Sequence, residues 1–246
     1  MDASDIIRRS IADVSALRKH RADNPPLAQA VADIKALQSR RFAGTYADLM
    51  GAPDVAPATQ FFLDELYSPK DFSARDDQFG RIAGTLQTVF PNAVVHTAVA
   101  LAQLHAHTER LDHALGRAWL NQPAARSPAA RYTRAWREVG ERAARQQQLA
   151  SVLAIGKDLA RLIRTPGLRT LLRLMRRPAN AAGLNALQHF LETGFDTFGA
   201  LARHQGAVEH FLATVQERET HALELLFDGD PVACETEITR ALGQAR

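Results

Sequence analysis

The stretch that decides the fold runs from Asn92 to Asn121 and reads NAVVHTAVALAQLHAHTERLDHALGRAWLN. Mostly apolar residues recur in it every three or four positions. This spacing places their side chains on one face of an α-helix. The residues on that face are Leu101, Leu104, Thr108, Leu111, Leu115 and Ala118. We therefore predict one long helix whose heptad-like face packs against other helices.

The rest of the 246-residue chain has the same helical character. Hydrophobic residues make up 46% of it, helix formers such as Ala, Leu, Arg, Gln and Glu recur throughout, and β-branched runs are nearly absent. Short turns marked by Pro and Gly separate the periodic segments. The sequence predicts an all-α fold, an irregular bundle of roughly ten helices. We expect a single domain over 1–246, with a hinge near 121–130, because single cores stop growing near this length.

Three helix boundaries can be predicted from turn residues. Ser68 is expected to cap a helix with Pro69 in its first turn and Asp71 at the capping-box position. Ser127 and Pro128 are expected to open a helix that runs unbroken to Arg164. Pro178 is expected to end the basic segment that precedes it.

Several classes of protein are disfavoured. The single cysteine, Cys234, rules out an intrachain disulfide framework, and we interpret it as a small buried residue. No signal peptide and no run of 18 apolar residues is evident, so the expected location is the cytoplasm. No catalytic motif is present, which leaves enzyme activity unsupported, and the sequence leaves the cofactor unknown. The oligomeric state stays open.

Charge is distributed unevenly along the chain. Residues 117–177 carry 14 Lys and Arg against three acids, whereas residues 178–246 carry four basic and ten acidic residues. Within the basic region, four arginines lie on a different side of a predicted helix from its apolar face. We predict that they form a surface that binds an anion or a partner. They are Arg169, Arg173, Arg176 and Arg177. The alternative is that the arginine-rich helices pack against this protein's own acidic C-terminal part.

A stripe of histidines and carboxylates adjoins the packing face of the long helix. It comprises His105, Glu109, Asp112 and His113. His and carboxylate side chains one turn apart leave the same face of a helix and can share a metal ion. His105 and Glu109 are therefore candidate metal ligands, with the remaining ligands supplied from elsewhere. The alternative is a solvated flank of the buried face, with local His–Glu pairs.

A second candidate site lies near the aromatic run at residues 60–67. Helical spacing directs Arg75 or Asp76 toward the core, where a charge needs a partner. A salt bridge to Asp64 or Glu65 would satisfy it. The alternative is a polar pocket in which Tyr67, Arg75 and Asp76 hold a small anionic or polar ligand.

The run FFLDELYSPKDF at residues 61–72, continued by RDDQF at residues 75–79, resembles a group of proteobacterial hypothetical proteins. The segment 183–198 and the run 217–219 are similar to the same group, with less specific motifs. The resemblance implies a helical protein of that group, and it transfers neither a substrate nor catalytic residues.

These features predict a non-catalytic helical binding or regulatory protein that engages an acidic partner or anionic ligand through its arginine-rich middle. The alternative hypothesis is a metal- or haem-binding helical protein that uses the histidines. Nucleic acid is disfavoured as a partner, because no recognition motif is evident and aromatic residues are sparse in the basic region.

Overall fold

The computed structural model describes residues 2–66, 68–123 and 126–245, without the side chain of Leu66. Within these residues the chain forms twelve α-helices and no strand, which confirms the all-α prediction. The helices are α1 (Ala3–Ala22), α2 (Pro25–Thr45), α3 (Ala47–Met50), α4 (Ala56–Leu66), α5 (Ser73–Val89), α6 (Asn92–Asn121), α7 (Pro128–Val139), α8 (Arg142–Leu162), α9 (Leu168–Ala181), α10 (Asn185–Leu201), α11 (Ala207–Asp228) and α12 (Pro231–Gln244).

Proline follows a polar cap at the start of three helices. The side chains of Asn24, Ser127 and Asp230 each accept a hydrogen bond from the backbone N–H three residues on, and proline occupies the next position in each case. The proline ring suits the first turn, because the N–H that it lacks has no helical partner there. The starts of α2, α7 and α12 are thus encoded locally.

The long helix α6 lies at the centre of the bundle. It packs against α1 and α2 on one side and against α7 and α8 on the other. Leu104, Leu111 and Leu115 of its predicted face are buried, as is Ala118. The helix α11 packs against α8. The helix α10 packs against α4, α5 and α9, and α12 packs against α2 and α7. Helices from both sides of the predicted hinge therefore pack on α6.

Two predicted boundaries are wrong. The helix α5 begins at Ser73, because Asp71 accepts hydrogen bonds from the backbone N–H and the hydroxyl of that residue, whereas Ser68 accepts from Lys70 in a local turn. The predicted continuous helix from Pro128 is broken at Gly140 and Glu141, whose φ angles are 66° and 54°. Both angles lie in the left-handed region, which ends α7 and redirects the chain into α8.

Pro178 lies inside α9, which continues to Ala181, so the predicted stop there is also wrong. The missing N–H removes only the helical donor to the carbonyl of Leu174. Leu174 is exposed, so water has access to that carbonyl. None of the described helices is both long enough and apolar enough to span a membrane.

Candidate functional site

The polar flank of α6 is buried. Glu109 and Asp112 are only 5% and 3% exposed, and His105 is half-buried. The predicted solvated flank is therefore wrong, because cationic and amide side chains from other helices cover these carboxylates. His113, at the end of the stripe, packs edge-on against His20, with ring centroids 5.1 Å apart.

Asp76 of α5 and His105 of α6 form the first buried polar contact. The Nε2 atom of His105 lies 2.8 Å from Oδ2 of Asp76, and Arg18 of α1 forms a salt bridge with the same carboxylate oxygen. Burial by itself would raise the pKa of Asp76, but its contacts with His105 and Arg18 outweigh burial and lower it. The carboxylate thus joins α1, α5 and α6.

Glu109 forms the second contact, one turn further along α6. Its carboxylate pairs with Lys35 of α2 and with Arg21 of α1, where Nη2 of Arg21 lies 2.8 Å from Oε2. Burial alone would raise the pKa of Glu109, yet the two cations, Lys35 foremost, lower it to about 2. Two positive charges therefore face one carboxylate.

The structure gives His105 and Glu109 separate partners. His105 contacts Asp76, whereas Glu109 is surrounded by Lys35 and Arg21. Among residues 2–66, 68–123 and 126–245, no group of three or more His, Cys, Asp and Glu side chains is arranged to hold a metal ion. Metal binding by His105 and Glu109 stays a prediction.

Arg41 of α2 makes a fully buried ion pair with Glu219 of α11. Its Nη2 lies 2.7 Å from Oε2, its Nη1 lies 3.3 Å from Oε1, and the hydroxyl of Tyr46 donates to Oε1 over 2.9 Å. Burial disfavours the charge, but the Glu219 carboxylate holds the pKa of Arg41 above its usual value. Both terminal nitrogens of this arginine are thus held by Glu219, while its buried Nε has no acceptor among the described residues.

Arg145 of α8 has a different environment from Arg41, although it is equally buried, at 5% exposure. Its Nη1 donates to Gln148 over 3.2 Å, and no described carboxylate forms a salt bridge with it. Burial lowers the pKa of Arg145, and the charge of the nearby Asp112 offsets burial only in part. Arg145 is thus a buried cation whose guanidinium has further N–H groups that can donate hydrogen bonds.

Asp112 is the corresponding buried acid. It accepts a hydrogen bond from Gln38 over 3.3 Å, and burial raises its pKa. Burial also raises the pKa of the neighbouring Tyr132 hydroxyl to about 12. Both groups are therefore driven toward their neutral forms.

A cavity of about 280 Å³ lies between these groups and the apolar core. Its polar end is lined by Gln38, Asp112, Tyr132, Arg145 and Gln148. The rest of its lining is mostly apolar, although charged residues such as Glu65, Arg75 and Asp76 also belong to it, and it includes ten of the eleven phenylalanines. They are Phe42, Phe61, Phe62, Phe72, Phe79, Phe90, Phe190, Phe195, Phe198 and Phe211. The cavity thus combines a largely aromatic wall with the buried polar and charged groups around Arg145.

Trp136 of α7 also lines the polar end. The guanidinium carbon of Arg145 lies 4.1 Å from the centre of a Trp136 ring, a cation–π contact. The indole N–H of Trp136 is buried and has no acceptor among the described residues. Tyr132, Trp136 and Arg145 therefore place three kinds of hydrogen-bond donor at the same end of the cavity.

Of the predicted pocket residues Tyr67, Arg75 and Asp76, the structure describes Arg75 and Asp76. Nη1 of Arg75 lies 3.0 Å from Oε2 of Glu65, one of the two salt bridges expected for it, and its guanidinium stacks on the rings of Phe72 and Phe190. Arg75 and Asp76 both line the cavity. Tyr67 lies outside the described residues.

The four predicted surface arginines of α9 are all exposed. Two of them pair with carboxylates of α10: Arg169 lies 2.7 Å from Asp196, and Arg176 lies 2.6 Å from Glu192. Arg173 and Arg177 form no ion pair within the described part of the chain. Arg142 and Arg164 likewise pair with acids of the C-terminal third, Asp228 and Glu209.

Sequence reasoning missed Arg145, although a signal for it exists. On α8, Arg145 shares a helical stripe with Leu149, Val152 and Leu159, and all four line the cavity. A charge on an otherwise apolar stripe predicts a buried cation. Trp136 and Gln38 carry no comparable signal.

No curated protein and no solved structure matches the chain. A match does exist to a protein family, described as "Domain of unknown function (DUF8198)", and it covers residues 17–233. That range includes every residue of the cavity except Ile11. Because the match spans most of the sequence, this chain belongs to the DUF8198 family.

Proposed function

We propose that this protein is a helical binding protein whose central cavity holds a small amphipathic molecule with an anionic head group. One observation carries the proposal: a single cavity joins a wall of phenylalanines to the buried guanidinium of Arg145. Arg145 belongs to the arginine-rich middle of the chain. The proposal therefore keeps the predicted anionic ligand and moves its site from the surface to the interior.

The size and lining of the cavity support a small ligand. Its volume of about 280 Å³ is close to the lower end of the roughly 300–1,000 Å³ typical of small-molecule sites. Such sites are mostly apolar, with a few polar groups that orient the ligand. Gly156 and Gly194 line the cavity where Leu212 and Phe61 pack closely against them, since a β-carbon at either position would come within 2.6 to 2.8 Å of those side chains.

The balance of charge supports an anionic head group. Around the polar end, Arg21, Lys35, Arg41 and Arg145 carry four positive charges, and three carboxylates oppose them. Two of those carboxylates, Glu109 and Glu219, are occupied by ion pairs. The third, Asp112, is driven toward its neutral form by burial, which raises its pKa. A ligand carboxylate at Arg145 would offset part of this excess positive charge.

The test compares two ligands of equal chain length, dodecanoate and dodecanol, by titration calorimetry. We expect dodecanoate to bind wild-type protein about ten- to a hundred-fold more tightly, because a hydrogen bond to a charged group contributes about 1.5–3 kcal/mol. In the Arg145→Gln variant the two ligands should bind alike. Equal affinities for the wild-type protein would contradict the proposed head-group site.

A cavity-filling variant tests the location of the ligand. Leu101 of α6 lines the cavity, whereas Leu120 lies at the other end of the same helix and is 43% exposed. Leu101→Trp should abolish binding of both ligands, and the matched control Leu120→Trp should bind like wild type. Unchanged binding in Leu101→Trp would place the ligand elsewhere.

The alternative hypothesis, a metal or haem site, stays a prediction with a test of its own. Ligation by His105 and Glu109 would require these side chains to leave Asp76, Lys35 and Arg21. If they bind a metal, His105→Ala should lower metal content and melting temperature together. Protein purified without chelator that contains no stoichiometric metal, shows no haem absorption and gains no stability from Zn²⁺, Mn²⁺ or Fe²⁺ would exclude it.

A further inference from the structure

The outward face of α9 combines free arginines with an exposed leucine, and we propose that it docks on an anionic lipid surface. The face is defined by Arg173, Leu174 and Arg177. It lies on the side of α9 opposite to Leu168 and Leu172, which are buried. This proposal is independent of the cavity ligand, because none of the three outward residues lines the cavity.

The charges of α9 are divided between two edges of the helix. Arg169 and Arg176 lie toward α10 and are paired with Asp196 and Glu192. Arg173 and Arg177 are one turn apart on the outer side and form no ion pair within the described residues. The surface therefore keeps two arginines free to bind phosphate, and guanidinium groups bind phosphate through paired hydrogen bonds.

An exposed leucine favours a lipid surface over an acidic protein. Leu174 is 70% exposed, next to Arg173 in the sequence and within one turn of Arg177. An aliphatic side chain flanked by cations suits the boundary between lipid head groups and acyl chains. The inner side of the same helix, at Leu168 and Leu172, lines the apolar part of the cavity. The helix α9 would thus separate a lipid surface from that cavity.

Turns bound α9 at both ends. Gly167 and Gly183 have φ angles of 78° and 68°, in the left-handed region. The helix packs chiefly against α10 and leaves its outer side open. A peripheral contact with lipid head groups therefore needs no rearrangement of the bundle.

The experiment is flotation with vesicles of mixed phosphatidylglycerol and phosphatidylcholine, compared with vesicles of phosphatidylcholine alone. The test variant is R173Q/L174Q/R177Q. Wild-type protein should bind the anionic vesicles, and binding should fade as salt rises. The variant should bind about thirty-fold more weakly, which corresponds to about 1 kcal/mol for each of two arginines near the surface.

The chain offers a matched control, R117Q/R134Q/V232Q. Arg117 and Arg134 are exposed and form no ion pair within the described residues, and Val232 is 71% exposed, compared with 70% for Leu174. The control removes the same charge and an equally exposed aliphatic group from other surfaces, and it should bind like wild type. Both variants should keep the melting temperature of the wild-type protein.

Three results would overturn the proposal. They are equal binding to neutral and anionic vesicles, equal losses in the test and control variants, and binding to soluble polyglutamate without binding to vesicles. The charge-reversed variant R173E/R177E is a second check. It should not bind anionic vesicles at all, and retained binding would also count against the α9 surface.

Discussion

The backbone of Gly44 in α2 lies directly against the carbonyl group of Ala241 in α12. A β-carbon built on Gly44 would come within 1.7 Å of that carbonyl oxygen. Both partners are helix backbone, so neither can turn away as a flexible side chain would. The close approach of α2 and α12 therefore depends on the absence of a side chain at residue 44.

The first prediction follows from this contact. Gly44→Ala should lower the free energy of unfolding by at least about 2 kcal/mol, because α12 must move outward. Urea denaturation measures the change. Gly199→Ala in α10 is the control: a β-carbon there meets nothing within 4 Å, so the substitution should be neutral or stabilising by up to about 1 kcal/mol. Equal stability of Gly44→Ala and wild type would contradict the close contact.

The second prediction concerns acid stability. The pKa of Glu109 is lowered from 4.5 to about 2 in the folded protein. Its ion pairs therefore stabilise the fold fully above pH 4.5, and this contribution is lost as the pH falls toward 2. Glu109→Gln should be less stable than wild type at neutral pH, by about 3 kcal/mol. The difference should shrink between these two pH values.

Chemical denaturation over a pH series checks this prediction. The control is Glu237→Gln on α12, where the Glu237 side chain is 41% exposed and pairs with Arg240 of the same helix. Its effect on stability should be small at every pH. If wild type and Glu109→Gln lose stability in parallel as the solution is acidified, the pH dependence arises from other carboxylates.

The third prediction contrasts two buried arginines. Arg41→Met should destabilise the protein by about 3–5 kcal/mol, because it leaves the Glu219 carboxylate buried without its cation. Arg145→Met should stay within about 1 kcal/mol of wild type or be more stable, since it removes a desolvated charge and burial already raises the pKa of the neighbouring Asp112. Urea unfolding of both variants measures the contrast. A large loss in Arg145→Met would assign Arg145 a structural ion pair instead of a ligand site.

The fourth prediction concerns the corner between α7 and α8. Gly140 has φ 66° and ψ −116°, a combination that only glycine adopts without strain. Gly140→Ala should therefore lower the melting temperature, with a cost of about 1–3 kcal/mol. Glu141→Gly relieves the left-handed φ at the next residue and loses only the exposed pair with Arg110, so its net effect should be small. Similar effects of the two variants would argue against this corner geometry.

Local sequence encodes most of the helices of this protein. The span of α6, the caps at Asn24, Ser127 and Asp230, and the burial of Cys234 all follow from side-chain spacing and turn residues within a few positions. Such signals are short-range, because a helix is defined by contacts between residues three and four apart. The break at Gly140 escaped prediction since an isolated glycine is also tolerated within a helix.

Which residues come together in the candidate site was determined only by the tertiary structure. Glu109 meets Arg21 and Lys35, which lie 88 and 74 residues away in the chain, and no local pattern specifies those pairings. Helical spacing indicates which charges share a face, but the packing of α1, α2, α7 and α8 around α6 determines which of them are buried and paired. The same packing leaves Arg145 in the aromatic cavity with no salt bridge to a described carboxylate, although the charge of Asp112 acts on it and Asp112 accepts a hydrogen bond from Gln38.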